Sequence, residues 1–261
     1  MTFGGDLARY YDLDLAEDPG DVDLYRALAA RTGGPVLELA AGTGRIAVPL
    51  AASGLEVVAV DRDPAMLASA RRRWADELAA GRVARGGRLE LVEADLFELD
   101  LEARFRLAIL ALNSLFLLGD ADRQAAAISV VARHLARGGL AAVDVFLPSV
   151  DDLATYDGRL VLEWVRNDPE REGVSVAKTG SALYDAATRR LELTSIFDAW
   201  PAQGGPLERI VRRDVLCLTS GAEVVRFALD AGLELEELAG DHDMSTFGSG
   251  SPRAVVVAGL V

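Results

Sequence analysis

Apolar positions along this chain follow two rhythms, and the change between them falls near residue 150. Before it, short and nearly continuous apolar runs at 36–39, 57–60, 89–93, 105–112 and 140–146 are separated by amphipathic stretches. Strands of that kind, alternating with helices, belong to a parallel sheet covered on both faces. Asp21 reads as the N-cap of a helix over 22–31, and a second helix over 44–53 ends at Gly54, with Pro49 predicting a kink. Asp63-Pro64 opens a helix reaching about residue 80, and Asp120 caps one over 121–137. Residues 1–20 read as irregular and polar, broken at Pro19-Gly20.

Beyond residue 150 the stretches 160–166, 174–184, 190–200 and 210–218 alternate or carry β-branched and aromatic residues. Asn167-Asp168-Pro169, Asp185-Ala186-Ala187 and Gly204-Gly205-Pro206 separate them, which predicts an antiparallel meander. Ser220 and Glu223 form a capping box for a helix ending at Gly232, and runs at 233–238 and 254–258 form a final hairpin. The expected fold class is α/β, a doubly wound, mostly parallel seven-stranded sheet with an inserted antiparallel β meander. Its expected organisation is an N-terminal lid and helix over 1–34, a cofactor-binding core over 35–150, the insertion over 151–219 on the acceptor side, and 220–261 completing the core.

The chemistry concentrates in Val36-Leu37-Glu38-Leu39-Ala40-Ala41-Gly42-Thr43-Gly44-Arg45, a buried strand running into a glycine turn with a helix behind it. Gly42 and Gly44 remove Cβ atoms that would hold a cofactor off the backbone. The next strand ends at Asp61, 19 residues after Gly42, where nucleotide-binding α/β units place a ribose-binding carboxylate. Gly42-x-Gly44-x-x-Ala47 also satisfies the loose dinucleotide fingerprint. Two acids favour another ligand. Glu38 would repel a pyrophosphate and attract an ammonium group, and Asp95, 34 residues after Asp61, can accept from an adenine amino group. An amino-acid tail, a ribose and an adenine without phosphate describe S-adenosylmethionine.

On these motifs the chain resembles the class I S-adenosylmethionine-dependent methyltransferases. Glu38–Gly44 is similar to their glycine motif, Asp61 to their ribose acid and Ala94-Asp95-Leu96 to their adenine-edge motif. The resemblance extends to the small-molecule subset common in bacteria, through Tyr10-Tyr11-Asp12, Leu112-Asn113-Ser114-Leu115-Phe116, Arg137-Gly138-Gly139-Leu140, and Gly240-Asp241-His242-Asp243 with Ser251-Pro252. Leu117-Leu118 stand where that subset often has a His, and Arg137 where it usually has a Pro. The resemblance implies a Rossmann-like fold and direct in-line methyl transfer to nitrogen or oxygen of a small-molecule acceptor, with S-adenosylhomocysteine as product. Its implied cofactor-binding residues are Tyr11, Glu38, Ala40, Gly42, Thr43, Gly44, Arg45, Asp61, Arg62, Met66, Ala94, Asp95, Leu96 and Leu112. Asn113, His242, Tyr11 and Asp243 are the candidates for work on the acceptor. Two alternatives stay open: an NAD-dependent oxidoreductase, though Lys178, the only lysine, lies far from any Tyr-x-x-x-Lys spacing, and an S-adenosylmethionine-binding protein without methyl transfer.

Composition narrows the partners. A net charge of −14 over 261 residues repels a phosphate backbone, so nucleic acid is not expected as acceptor. The basic clusters Arg71-Arg72-Arg73 and Arg209, Arg212, Arg213 read as solvated faces. No apolar run nears the ~20 residues needed to cross a bilayer, so no membrane partner is expected. The lone Cys217 suits a cytoplasmic protein, and no His, Cys and carboxylate spacing implies a metal. Exposed meander edges can pair between subunits, giving a homodimer.

Overall fold

In the computed structural model, residues 5–16 and 20–261 are described. In chain order they form α1 (Gly5–Asp14), α2 (Asp21–Thr32), β1 (Val36–Leu39), α3 (Ala47–Ala52), β2 (Glu56–Asp61), α4 (Pro64–Ala79), β3 (Arg88–Glu93), β4 (Phe105–Leu110), a short 3-10 helix (Ser114–Leu118) and α5 (Ala121–His134). There follow β5 (Leu135–Phe146), α6 (Val150–Thr155), β6 (Asp157–Asn167), β7 (Val174–Asp185), β8 (Arg190–Pro201), β9 (Glu208–Cys217), α7 (Gly221–Asp230), β10 (Glu234–Ala239) and β11 (Arg253–Gly259). Seven strands make one sheet in the order β10-β11-β5-β4-β1-β2-β3, parallel except for the pairings of β11 with β5 and β10. Strands β6 to β9 make a second, antiparallel sheet in sequence order.

The sheet order reverses at β1, whose neighbours are β4 and β2. That reversal opens a crevice at the carboxyl ends of the strands, where open α/β sheets place ligands. The antiparallel β11 between β5 and β10 departs from the six parallel strands of a dinucleotide-binding fold. Buried Val, Leu, Ile and Ala side chains of β1, β2 and β4 fill both faces, as continuous apolar runs require.

Several expected elements shift, each for a local reason. Residues 5–14 are helical, because α1 has something to pack on: Tyr10 and Leu13 are buried with Val176, Phe197 and Ala199 of the second sheet, and Tyr10 stacks on Phe197 at 5.2 Å. Pro19 of the expected break lies outside the described residues. Asp21 does not cap α2; Gly20 holds that position, and the buried Asp21 carboxylate takes Arg45 in a two-pronged ion pair. Helix α3 begins only at Ala47, so Pro49 falls in its first turn, where a missing donor costs nothing. Helix α5 stops at His134, because Leu135 is already extended and pairs with Phe105. Strand β4 stops at Leu110, because Leu112 and Asn113 turn left-handed, with φ of 49° and 65°. Helix α6, unforeseen, has its own capping box between Ser149 and Asp152.

The second sheet has two unlike faces. Val176, Leu191, Phe197, Ala199 and Leu216 lie on the face turned to α1 and the parallel sheet, and all are buried. Alternate positions, including Leu162, Leu183, Val211 and Val215, lie on the opposite face and are exposed. Helix α1 bridges the two sheets. Asp14 binds Trp164 Nε1 at 2.9 Å and Lys178 Nζ at 2.6 Å, while Asp12 binds Thr43 of the glycine turn and Arg73 of α4.

Candidate functional site

A cleft at the switch point brings together the carboxyl ends of β1, β2 and β3, the 3-10 helix, α1 and β9. Its cavity volume is about 140 Å³, and it opens to solvent on one side. Nine of the expected residues line it: Tyr11, Ala40, Gly42, Asp61, Arg62, Met66, Ala94, Asp95 and Leu96.

Asp61 is the last residue of β2, and two backbone amides fix it: Gly42 N–H donates to Oδ2 and Asp63 N–H to Oδ1, both at 2.8 Å. Burial holds its carboxyl above the ordinary value against these two amides. Asp63 caps α4, accepting from Ala65 N–H at 2.8 Å, and so holds the turn after Asp61. Ala40 and Gly42 have φ of 53° and 56°, and a Cβ built on Gly42 meets nothing within 4 Å. That open side of the turn is where a ligand can approach the backbone. Gly44 serves another purpose, because its Cβ would stand 3.0 Å from Ala70 Cβ and 3.1 Å from Val48 Cγ2. It lets α4 pack closely rather than making room for a cofactor. Asp95 accepts from Phe97 N–H at 2.9 Å, which turns the chain after β3 and sets Leu96 and Phe97 as apolar wall.

Beneath the glycine turn, Glu38 is only 3% exposed, and its Oε2 has no hydrogen-bond partner among the described residues. Burial pushes its carboxyl up to about 8, with Asp21 and Asp61 adding to the rise and Arg45 and the Ala47 amide opposing it. Glu38 does not itself line the cleft, but Ala40 and Gly42 of the turn above it do; an orphaned, buried carboxyl oxygen there fits a cationic group, as a sulfonium donor's α-ammonium would supply. Tyr11 is pushed up to about 12, chiefly by burial, and the fields of Arg45 and Arg212 pull against that rise.

Other expected residues lie outside the cleft lining. Thr43 donates to Asp12 of α1 at 2.5 Å, and Arg45 is held by Asp21. Leu112 N–H donates to Asp144 Oδ1 at 2.6 Å. Asn113 Oδ1 accepts from Phe146 N–H at 2.6 Å and from Arg253 Nη2 at 3.1 Å, so this side chain closes the end of β4. His242 is buried, with Nε2 3.1 Å from Asp144 Oδ2. Asp243 is a turn residue that accepts from Ser245 N–H at 2.9 Å.

Sequence reasoning missed the group that organises this corner. Asp144 of β5 is 1% exposed and receives Tyr25 Oη at 2.6 Å, Leu112 N–H, His242 Nε2 and Arg253 Nη2 at 2.5 Å. It also missed Phe97, Ser114, Leu117, Leu118 and Arg212 in the cleft wall. An acid inside the apolar run of β5 is the signal that could have found Asp144; the roof residues carry no local signal.

Residues 36–139 match a family model described as a methyltransferase domain. Over 140 residues the chain is 34% identical to the cypemycin N-terminal methyltransferase of a Streptomyces species, an alignment covering 54% of this chain and 52% of that protein. The chain thus spans about half the length of that curated relative, and less of the others it matches. Among solved structures, the CcbJ methyltransferase from Streptomyces caelestis is 26% identical with a TM-score of 0.70, covering 94% of this chain and 92% of that one. The S-adenosylmethionine-bound CalS10, an amino pentose methyltransferase from Micromonospora echinaspora, is 20% identical with a TM-score of 0.70, covering 100% and 98%.

Proposed function

We propose, from the match of residues 36–139 to a methyltransferase domain, that the chain is a class I, S-adenosylmethionine-dependent methyltransferase that methylates an amine of a small-molecule acceptor. The observation that carries the reading is the pairing of the fixed Asp61 carboxylate in the cleft with the orphaned Glu38 oxygen beneath the glycine turn. Asp61 would hold the ribose hydroxyls, Glu38 the α-ammonium, and Met66, Leu96 and Phe97 the adenine faces. When bound, the donor supplies a methyl group on a positively charged sulfur, whose charge is lost on transfer. The chain's own residues align the two reactants and exclude water. Tyr11, and Arg212 of the second sheet, cover the cleft, and Leu117 and Leu118 give it an apolar acceptor side.

Nitrogen is favoured over oxygen by the fate of the one imidazole near this corner. His242 is committed to Asp144 rather than to the cleft. An amine can arrive with its lone pair free, whereas a hydroxyl benefits from a base. The cypemycin N-terminal methyltransferase, a relative, points the same way. The division of labour proposed is a donor-binding core over 35–150 and an acceptor-side roof over 151–219. The test is turnover of S-adenosylmethionine to S-adenosylhomocysteine with a panel of amino sugars and peptide N-terminal amines against matched hydroxyl compounds. Turnover confined to the hydroxyl compounds would sink the nitrogen assignment.

No described helix is long and apolar enough to cross a membrane. A cytoplasmic placement fits the single free cysteine and a cytoplasmic methyl donor. Self-association is proposed through the outer face of the second sheet, where Leu160, Leu162, Leu183 and Val211 are 63%, 61%, 49% and 48% exposed. The occupant is a second copy. On that face Asp198 is paired with Arg209 at 2.6 Å, and the exposed Glu192 and Arg213 are of opposite sign, so the face carries no block of like charge to oppose pairing in a chain of net charge −14. Sedimentation should give twice 27.7 kDa for the native protein and 27.7 kDa for Leu162→Glu; a native monomer removes the proposal.

A further inference from the structure

A donor with an amino-acid tail brings a carboxylate as well as an ammonium group, and the donor-binding reading above, on which this inference rests, has so far assigned only the second. Three arginines are close enough to be considered. Arg45 acts on Glu38, but both its terminal nitrogens are bound to Asp21 and it does not line the cleft. Arg62 lines the cleft directly after Asp61, at the ribose end.

Arg212 comes from the other half of the molecule. It pairs in register with Ser195 across β8 and β9, and its side chain lines the cleft from the roof. Its guanidinium carbon lies 6.0 Å from the Tyr11 ring centroid, and its Nε lies 2.5 Å from Asp214 Oδ2. Only 16% of the side chain is exposed. The Tyr11 hydroxyl lies within the fields of both Glu38 and Arg212. A carboxyl from the core and a guanidinium from the roof therefore both act on one tyrosine that itself lines the cleft.

We propose that Arg212 recognises the α-carboxylate of the methyl donor, so that the donor's tail is held by Glu38 of the parallel sheet and by Arg212 of the roof sheet. The roof is then part of the donor site and not solely of the acceptor site. A donor analogue without the carboxylate keeps its ribose and adenine contacts to the core and loses the roof. An arginine–carboxylate contact is charge-assisted and directional, and lysine reproduces its charge but not its fork.

The test is calorimetric binding of S-adenosylhomocysteine and of its decarboxylated analogue, S-adenosyl-3-thiopropylamine, to the native protein, Arg212→Met and Arg212→Lys. The native protein should prefer the carboxylated ligand by roughly 10- to 100-fold, the methionine variant should bind both about equally, and the lysine variant should keep part of the preference. Circular dichroism shows whether each variant is folded. Equal binding of the two ligands by the native protein overturns the proposal without reference to any variant. A preference kept intact in Arg212→Met overturns it too, because another cation must then hold the carboxylate. Failure of the native protein to bind S-adenosylhomocysteine at all overturns the donor reading itself, and so the two failures are told apart.

Discussion

Glu38→Gln is expected to make the ligand-free protein more heat-stable at pH 8 while weakening its affinity for S-adenosylhomocysteine by roughly 10- to 100-fold. Both effects come from a carboxyl that burial pushes up to about 8, from an ordinary value of 4.5. Because the folded value is the higher one, the native state binds more protons than the unfolded chain between about pH 4.5 and pH 8. Stability associated with Glu38 is therefore complete below the lower value and is lost as pH rises through the upper one. Over that window the loss is on the order of a few kcal/mol, or roughly 5–15 °C of thermal midpoint for a chain of this size. Glutamine has no proton to lose and should flatten the curve. An ammonium group bound against Glu38 needs the carboxylate, so its binding expels the proton. Affinity in the native protein should rise about tenfold per pH unit from pH 6 toward pH 8, with proton release visible when buffers of different ionisation heat are compared. Identical pH profiles for the native protein and Glu38→Gln would falsify the role given to Glu38.

The trade-off places this residue among functional groups that cost stability in the empty protein. It also separates Glu38 from Asp61, which two backbone amides already satisfy in part. The first acid waits for a ligand; the second is set in place before one arrives.

Why some of this was legible in the sequence and some was not follows from the range of the interactions. The glycine turn, Asp61, Asp63-Pro64 and the Ser220–Glu223 box are local, with partners within a few residues or on the adjacent strand, and the residue types state the geometry. The mostly parallel character of the first sheet followed from apolar runs that alternate with helices. The errors lie where a distant partner decides. Asp21 looks like a cap by sequence, and only the fold brings Arg45 to it. Asn113 and His242 look like acceptor residues because of their neighbours in the chain, yet Asp144 and Arg253, 31 and 140 positions from Asn113, determine which way they face. Helix α1 could not be foreseen, because its apolar side has a partner only once the second sheet exists. Arg212 belonged to a basic cluster read as solvated. Strand alternation turns it inward and leaves Arg213 outside.

The largest loss of stability should follow Asp144→Ala. Burial would by itself push this carboxyl up, but hydrogen bonds from His242, Tyr25 and Leu112 N–H and the field of Arg253 bring it down to about 2. Removing it strands four donors at once in a dry corner, among them the Arg253 guanidinium, whose side chain is 14% exposed. Breaking a buried charged group out of such a network costs about 3–5 kcal/mol. The corner has a second reason to fail, since Leu112 and Asn113 are consecutive non-glycine residues in left-handed geometry, and Asp144 receives the amide of the first on its side chain and that of the second on its carbonyl. The sign with pH is opposite to that of Glu38. A folded value below the ordinary 3.8 gives stability that is present above that value and is lost as pH falls through about 2. Denaturant unfolding at pH 7 should place the variant about 3–5 kcal/mol below the native protein, and the gap should narrow as both are taken from pH 4 to pH 2. A gap under about 1 kcal/mol at pH 7, or one that widens toward pH 2, would mean that Asp144 does not hold this corner together.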